Sequence, residues 1–284
     1  MTLTEAATRL QFAAIGLLKR RQVDAIAAKH RPKIAAFFRR QKTLTLEKFK
    51  GLQFLFTESY RALREEISPN QFLTPHDFDR LWSEIDRDTF DELQGIIAAA
   101  ESDGVLKGAA FSAKQFGTIV PGGDLGSTFN LANPRAVAWF QKNGGSLQYI
   151  KNIQETTRTQ LQTIIVKAIN EGKSYNQTAK EIRVAFEGIS RHRAQLIATN
   201  ESAHAYESGS YMFEQGLVAD GIELEKSWQN VGDTNVTEGC LKNTATGWIP
   251  FTQEFPSGHQ HPPRFPGCRC HHITRQVKRD PKPR

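Results

Sequence analysis

Gly239-Cys240, and then His259-Gln260-His261-Pro262-Pro263-Arg264-Phe265-Pro266-Gly267-Cys268-Arg269-Cys270-His271-His272, place all three cysteines of this 284-residue chain in its last fifth. Soft-ligand residues packed this densely, and broken by prolines, read either as a metal knuckle or as the signature of a small fold. On an extended segment residues two apart share a face, so Cys268 and Cys270 offer two thiols to one point while Arg269 turns away. A hairpin carrying Cys240 brings a third. Structural zinc takes four tetrahedral ligands, commonly Cys with His, so the expected set is Cys240, Cys268, Cys270 and His261 around one structural Zn2+. His259 is the alternative fourth ligand, with His271 and His272 in reserve. The competing reading is plain packing: Cys-x-Cys is not the Cys-x-x-Cys of a zinc knuckle, and small buried cysteines are common in cores. An odd cysteine count, with two of the three only two apart, argues against a disulfide scaffold and for reduced thiols.

Outside that stretch the composition is that of a globular protein, 39% hydrophobic and 24% charged. No run approaches the roughly 18 apolar residues of a membrane span, and Met1-Thr2-Leu3-Thr4-Glu5 lacks the pattern of a secretion signal. The expectation is a protein made in a cytoplasm, with no membrane partner. The net charge of +7 is uneven. From Lys19 to Lys50 eleven Lys and Arg oppose only Asp24 and Glu47, and from Arg264 to Arg284 seven oppose only Asp280. Two basic ends on a mildly acidic body suit a polyanion, and nucleic acid is the commonest one available. Lys19, Arg20, Arg21, Arg39, Arg40, Arg275, Lys278 and Arg279 are the expected nucleic-acid contacts. Solvated tails are the alternative for such charge runs.

Helical periodicity dominates the pattern. Leu3, Ala7, Leu10, Ala14, Leu17 and Leu18 recur at helical spacing up to Arg31-Pro32, where the proline is expected to end or kink the helix. A short continuation carries Ile34, Phe37 and Phe38. A third segment, with Phe49, Leu52, Leu55, Phe56, Leu63 and Ile67, runs to Ser68-Pro69-Asn70. Thr74-Pro75 marks the next start, with Thr74 as N-cap, Pro75 at the first helical position and Asp77 in the first turn. That helix is expected to end near Asp103-Gly104. Pro121-Gly122-Gly123-Asp124-Leu125-Gly126 reads as a loop and a boundary. Asn133-Pro134 opens a short helix, Leu147 a long one stopped by Gly172, and Ser174-Tyr175-Asn176-Gln177 has the form of a capping box. The helix it starts is expected to stop at Gly188, and a last one to cover 191–215.

Four segments carry a family resemblance: Phe129 to Trp139, Ile153 to Arg158, Glu171 to Ser174, and Arg193 to Glu201. The C-terminal part continues it with Trp228 and Asp233, a turn from Val236 to Cys240, a strand from Trp248 to Phe251, and Pro262-Pro263 leading to Cys268-Arg269-Cys270. From about Phe129 to Thr274 the chain resembles the phage Mu protein F-like head morphogenesis family, minor capsid proteins of tailed bacteriophages. The chain departs from that pattern at Thr199-Asn200-Glu201, where Arg-Thr-Glu is usual. It departs again at Thr237 and Phe265, which replace a ligand-type residue and the histidine of His-Pro.

The resemblance implies a mainly α protein with helical N-terminal and central regions and a small α+β C-terminal lobe. Its expected divisions are 1–120 as an N-terminal helical region, 127–215 as the central helical part of the Mu F-like region, 216–276 as the Cys/His lobe and 277–284 as a basic tail. It further implies a structural role in procapsid assembly, inside the head near the portal, with portal, major capsid or scaffold proteins and packaged DNA as partners. The implied location is the virion, after assembly in the host cytoplasm. Nothing resembles a Walker loop, a dinucleotide fingerprint or a zinc-protease helix, which favours a non-enzyme. A metal-dependent nuclease or other DNA-processing enzyme is the alternative, with Asp233 near the Cys/His cluster to hold a metal against a phosphate; separately, Asn200, Glu201 and His204 are residues that could line a catalytic cleft.

Overall fold

The computed structural model describes residues 3–53, 75–117, 129–143, 147–171 and 173–277. The Thr74 cap, the stripe from Leu55 to Ile67, the loop from Pro121 to Gly126, Gly172, and the tail residues Lys278 and Arg279 lie outside them. Among the described residues six helices and three strands follow in the order α1 Leu3–Lys50, α2 Pro75–Phe116, α3 Pro134–Asn143, α4 Leu147–Asn170, α5 Tyr175–Ala219, β1 Leu224–Gln229, α6 Glu238–Ala245, β2 Trp248–Pro250 and β3 His271–Gln276. This is the mainly α architecture with a small mixed lobe that the sequence predicts.

Local signals explain most of the boundaries. Asn133 accepts a hydrogen bond from the Arg135 amide at 3.0 Å, capping α3 ahead of Pro134. The capping box of α5 is complete: the Ser174 amide donates to Gln177 Oε1 at 2.7 Å and the Gln177 amide to Ser174 Oγ at 3.3 Å.

Three expected interruptions do not occur. α1 continues through Pro32, whose missing N–H costs one rung of the ladder while Ile34, Phe37 and Phe38 beyond it are fully buried. α5 continues through Gly188, a residue that disfavours helix by only about 1 kcal/mol. α2 runs past Gly104 to Phe116, and Gly104 and Gly108 are packing positions and not stops. A Cβ on Gly108 would stand 1.9 Å from the Tyr206 carbonyl oxygen, and one on Gly209 would stand 2.1 Å from that of Val105. The α2 and α5 backbones therefore touch along a seam that only glycine permits.

Packing divides the chain into two compact units, each built from separate stretches. One comprises Arg31–Ala98 and Asn143–Gln195. Its core gathers Phe49, Phe78, Trp82, Leu161, Ile165 and Phe186. A buried polar layer crosses it, with Gln41 donating to Gln154 at 2.6 Å and Gln154 to Thr89 at 3.3 Å.

The other unit comprises Met1–His30, Ala99–Lys142 and Leu196–Arg284. Every residue of α5 from 205 to 214 is buried, so this stretch forms its central rod. The sheet is antiparallel in the order β2-β1-β3, with Trp228 opposite His272 and Lys226 opposite Ile249 and Thr274. Lys226 is wholly buried. Its ammonium lies 5.1 to 5.4 Å from the ring centres of Tyr211, Phe251 and Phe255 and donates to the Gln260 carbonyl at 2.9 Å. This contact holds the irregular segment after β2 against the sheet.

Candidate functional site: a three-thiol centre above a buried charge network

The segment expected to turn at Cys240 is a short helix. Thr237, extended at the N-cap position, makes no side-chain cap, and α6 then carries Cys240 inward. Gly267, at φ +88°, reverses the chain so that the Cys268 amide donates to the Phe265 carbonyl at 3.0 Å, which delivers Cys268 and Cys270 to the same place. The three sulfurs lie within 4.8 Å of one another, all on buried residues, and Cys240 and Cys268 are 3.9 Å apart. All three cysteines are free.

Two hydrogen-bond donors stand near the sulfurs. Arg264 places Nη1 3.8 Å from Cys240 Sγ and 3.2 Å from Thr237 Oγ1. Gly239 makes room for it, since a Cβ there would lie 2.4 Å from that nitrogen. The Trp228 indole N–H is buried without a formed hydrogen bond and stands close enough to Cys270 to favour its thiolate. Hydrogen bonding from the Cys270 thiol lowers the pKa of Cys268, and holding that shared proton raises that of Cys270.

These thiols fit a metal. Zinc at about 2.3 Å from each of two tetrahedral sulfurs requires the sulfurs to be about 3.8 Å apart, which the Cys240–Cys268 spacing meets. His261 does not join the group. Its Nδ1 donates to the Pro262 carbonyl at 2.6 Å, and its ring packs against Tyr211 at 5.0 Å and His272 at 6.1 Å. Burial pushes His261 down to about 3, so it is neutral there. His259 is held by the Ser257 carbonyl at 2.8 Å.

His272 is engaged in a network that the sequence did not announce. Its Nδ1 lies 2.5 Å from Glu207 Oε2 and its Nε2 2.9 Å from Glu214 Oε2; against burial and Lys19, these two carboxylates raise its pKa and favour the imidazolium. Lys19 adds a second cation, 3.3 Å from Glu207 and 2.8 Å from the His272 carbonyl oxygen. Ser112 and Thr274 donate to Glu214 at 2.8 and 2.9 Å. Burial alone would raise both carboxyl pKa values; Lys19 and His272 overcome it and hold Glu207 below its ordinary range, while His272 does the same for Glu214. Two cations and two anions balance, as a buried cluster must.

The expected nucleic-acid contacts separate accordingly. Lys19 is 1% exposed and spent on Glu207, which corrects its place in that set. Arg20 is half-buried, whereas Arg21 and Arg39 are exposed. Arg40 is exposed and donates to Glu92 at 2.7 Å. Arg275 is paired to Glu225 at 2.7 Å and lies over the Trp248 ring at 4.2 Å. Asn200 donates to Glu201 at 2.9 Å, both being buried, and His204 packs on Trp139 at 5.4 Å. Asp233, which a nuclease reading would enlist, is bound by Arg269 at 2.6 Å. Among the described residues the only grouping of three or more metal-ligating side chains is the cysteine cluster, not a set of carboxylates.

Glu207, Glu214 and Lys226 escaped the sequence reading. Their signal was present but weak: Glu207 and Glu214 are seven residues apart and so share a helix face, among small and aromatic residues.

The thiols thus lie beside the sheet, Cys240 on α6 and Cys268 and Cys270 on the segment that leads into β3. Residues 159–273 match the family model described as Phage Mu protein F like protein, spanning α4 from Thr159, all of α5, and the lobe through Ile273. The match bears out the resemblance to the Mu F-like family over that region. No curated protein and no solved structure matches the chain. No helix among the described residues is long and apolar enough to cross a membrane.

Proposed function

We propose that this chain is a bacteriophage minor capsid protein that acts in procapsid assembly, inside the head near the portal. The observation that carries this reading is the coincidence of the family match with the assembled thiol centre: the matched region contains α5 and all three cysteines. A structural role also agrees with carboxylates that are neutralised in pairs rather than left to hold a catalytic ion. Portal, major capsid or scaffold proteins are the proposed partners. Packaged DNA is proposed to meet the exposed Arg21, Arg39 and Arg40.

The same reading assigns one structural Zn2+ to Cys240, Cys268 and Cys270. The ion would supply folding free energy to a lobe with little apolar content. Isolation of assembling particles tests the proposal: the protein should co-purify with the portal before DNA is packaged. Its absence from such particles, or metal-dependent cutting of plasmid DNA by the pure protein, would remove the capsid reading in favour of an enzyme.

A further inference from the structure

A cavity of about 860 Å³ lies between the N-terminal part of α1 and the sheet, within one compact unit. α1 crosses β3 at Gly16, where a Cβ would stand 2.0 Å from His271 Nε2, and Phe12 packs on Trp248 at 5.0 Å. The helix is thereby held against the sheet at these two points, and the groove opens beside them. Its only formally charged lining residue is Arg20, with Ser227, Gln229 and Asn230 opposite.

Arg20 has no hydrogen bond or ion pair among the described residues, and its Nε is buried without a partner. The groove thus presents a half-buried guanidinium that no ion pair among the described residues engages, a cation that an arriving carboxylate can pair. Leu17, 55% exposed, lines the groove, and Leu10, 72% exposed, lies two turns earlier on the same face of α1. Exposed leucines on one helix face are the kind of surface that a protein segment covers and a phosphate backbone does not. Stacking with a nucleobase is also disfavoured, because Phe12 and Arg275 already pack on Trp248.

We propose that this groove docks a segment of a partner protein that places an acidic side chain against Arg20 and apolar neighbours over Leu10 and Leu17. Its proposed contacts, Arg20, Leu10 and Leu17, are neither the thiols nor the exposed arginines, so it goes beyond the assembly role and requires neither metal nor DNA.

The test is selection of a random-peptide display library on the full-length chain. Enriched peptides should carry Asp or Glu flanked by large apolar residues. The best of them, synthesised with a fluorescent label, should bind at least about tenfold more weakly to Arg20→Gln and to Leu17→Asp. Lys114→Gln, exposed on α2 and outside the lining, should bind as the parent does, and thermal melts should show all variants folded. Enrichment without acidic residues, no enrichment, or equal binding to Arg20→Gln overturns the proposal. So does displacement of the peptide by an oligothymidine, or self-association of the chain that Arg20→Gln abolishes, since either names a different occupant.

Discussion

The Lys19 ammonium donates to the carbonyl oxygen of His272 at 2.8 Å, joining the first helix to the last strand across 253 positions of sequence. The same nitrogen neutralises Glu207, and neither side chain is more than 3% exposed. Lys19→Met leaves a buried carboxylate with one cation fewer and is expected to cost about 3–5 kcal/mol. Lys19→Met combined with Glu207→Gln removes one charge of each sign and leaves His272 paired with Glu214. The double variant should therefore be more stable than Lys19→Met alone. Denaturant melts of the two single variants and the double variant decide this; additive losses would show that the network is not a charge-balanced unit.

The glycines of the helix seam give a contrast within one residue type. Gly108→Ala and Gly209→Ala drive a methyl group into backbone carbonyl oxygens that have no rotamer in which to yield, and each should lower the melting temperature markedly or prevent folding. Gly188→Ala meets nothing within 4 Å and lies in the interior of α5. It should stabilise by about 0.5–1 kcal/mol. Equal effects at the three positions would contradict the close contact of α2 and α5.

What was legible in the sequence follows from the range of each signal. Caps act over three residues, so Ser174-Gln177 and Asn133-Pro134 were readable and form as expected. The meeting of the sulfurs was readable because the residue types are rare and only two loops separate them. The role of Lys19 was not, because a lysine in a basic run looks the same whether its helix faces water or Glu207, and only tertiary packing distinguishes them. Gly104 and Gly188 failed for a related reason. Glycine marks a helix end, a close approach or merely a weak position, and the choice depends on what lies beside it in space.

Lys226 should make stability depend on pH. Burial lowers its pKa from 10.5 to about 8, against the opposing influence of Glu214 and Glu254. The folded state thus releases a proton that the unfolded chain still holds between about pH 8 and 10.5, and stability rises with pH across that window. A shift of this size corresponds to roughly 3 kcal/mol. The measurement is the pH dependence of unfolding free energy for the parent minus that for Lys226→Met. A flat difference would mean that the aromatic enclosure and Gln260 keep the ammonium as well solvated as water does.

For DNA, exposure separates the basic residues into two groups with different expected behaviour. Neutralising Arg21, Arg39 and Arg40 should weaken binding to duplex DNA and reduce the dependence of log K on log salt by about 0.9 for each phosphate that is no longer neutralised. Lys19→Met, if folded, should leave that slope unchanged, because its ammonium never reaches solvent. Retention on DNA that does not respond to the three arginines at any salt concentration would assign the charge to a protein surface or to solubility.

The thiol centre makes the most decisive prediction, since ligand count and folding are linked there. The purified chain should hold about one zinc per molecule, and Co2+ in its place should give the visible absorption of tetrahedral thiolate coordination. Cys240→Ser, Cys268→Ser and Cys270→Ser should each weaken zinc by more than the roughly 10–100-fold typical of residues that only support a ligand. His261→Ala should not, because its Nδ1 is committed to Pro262 and its ring to Tyr211. A strong chelator should lower the melting temperature of the parent but not of the triple serine variant, since metal binding contributes to folding only where the site exists. If the parent carries no metal and the chelator changes nothing, Cys240, Cys268 and Cys270 are a packed sulfur core. Arg264 and the Trp228 indole would then be donors serving thiols rather than metal-bound thiolates.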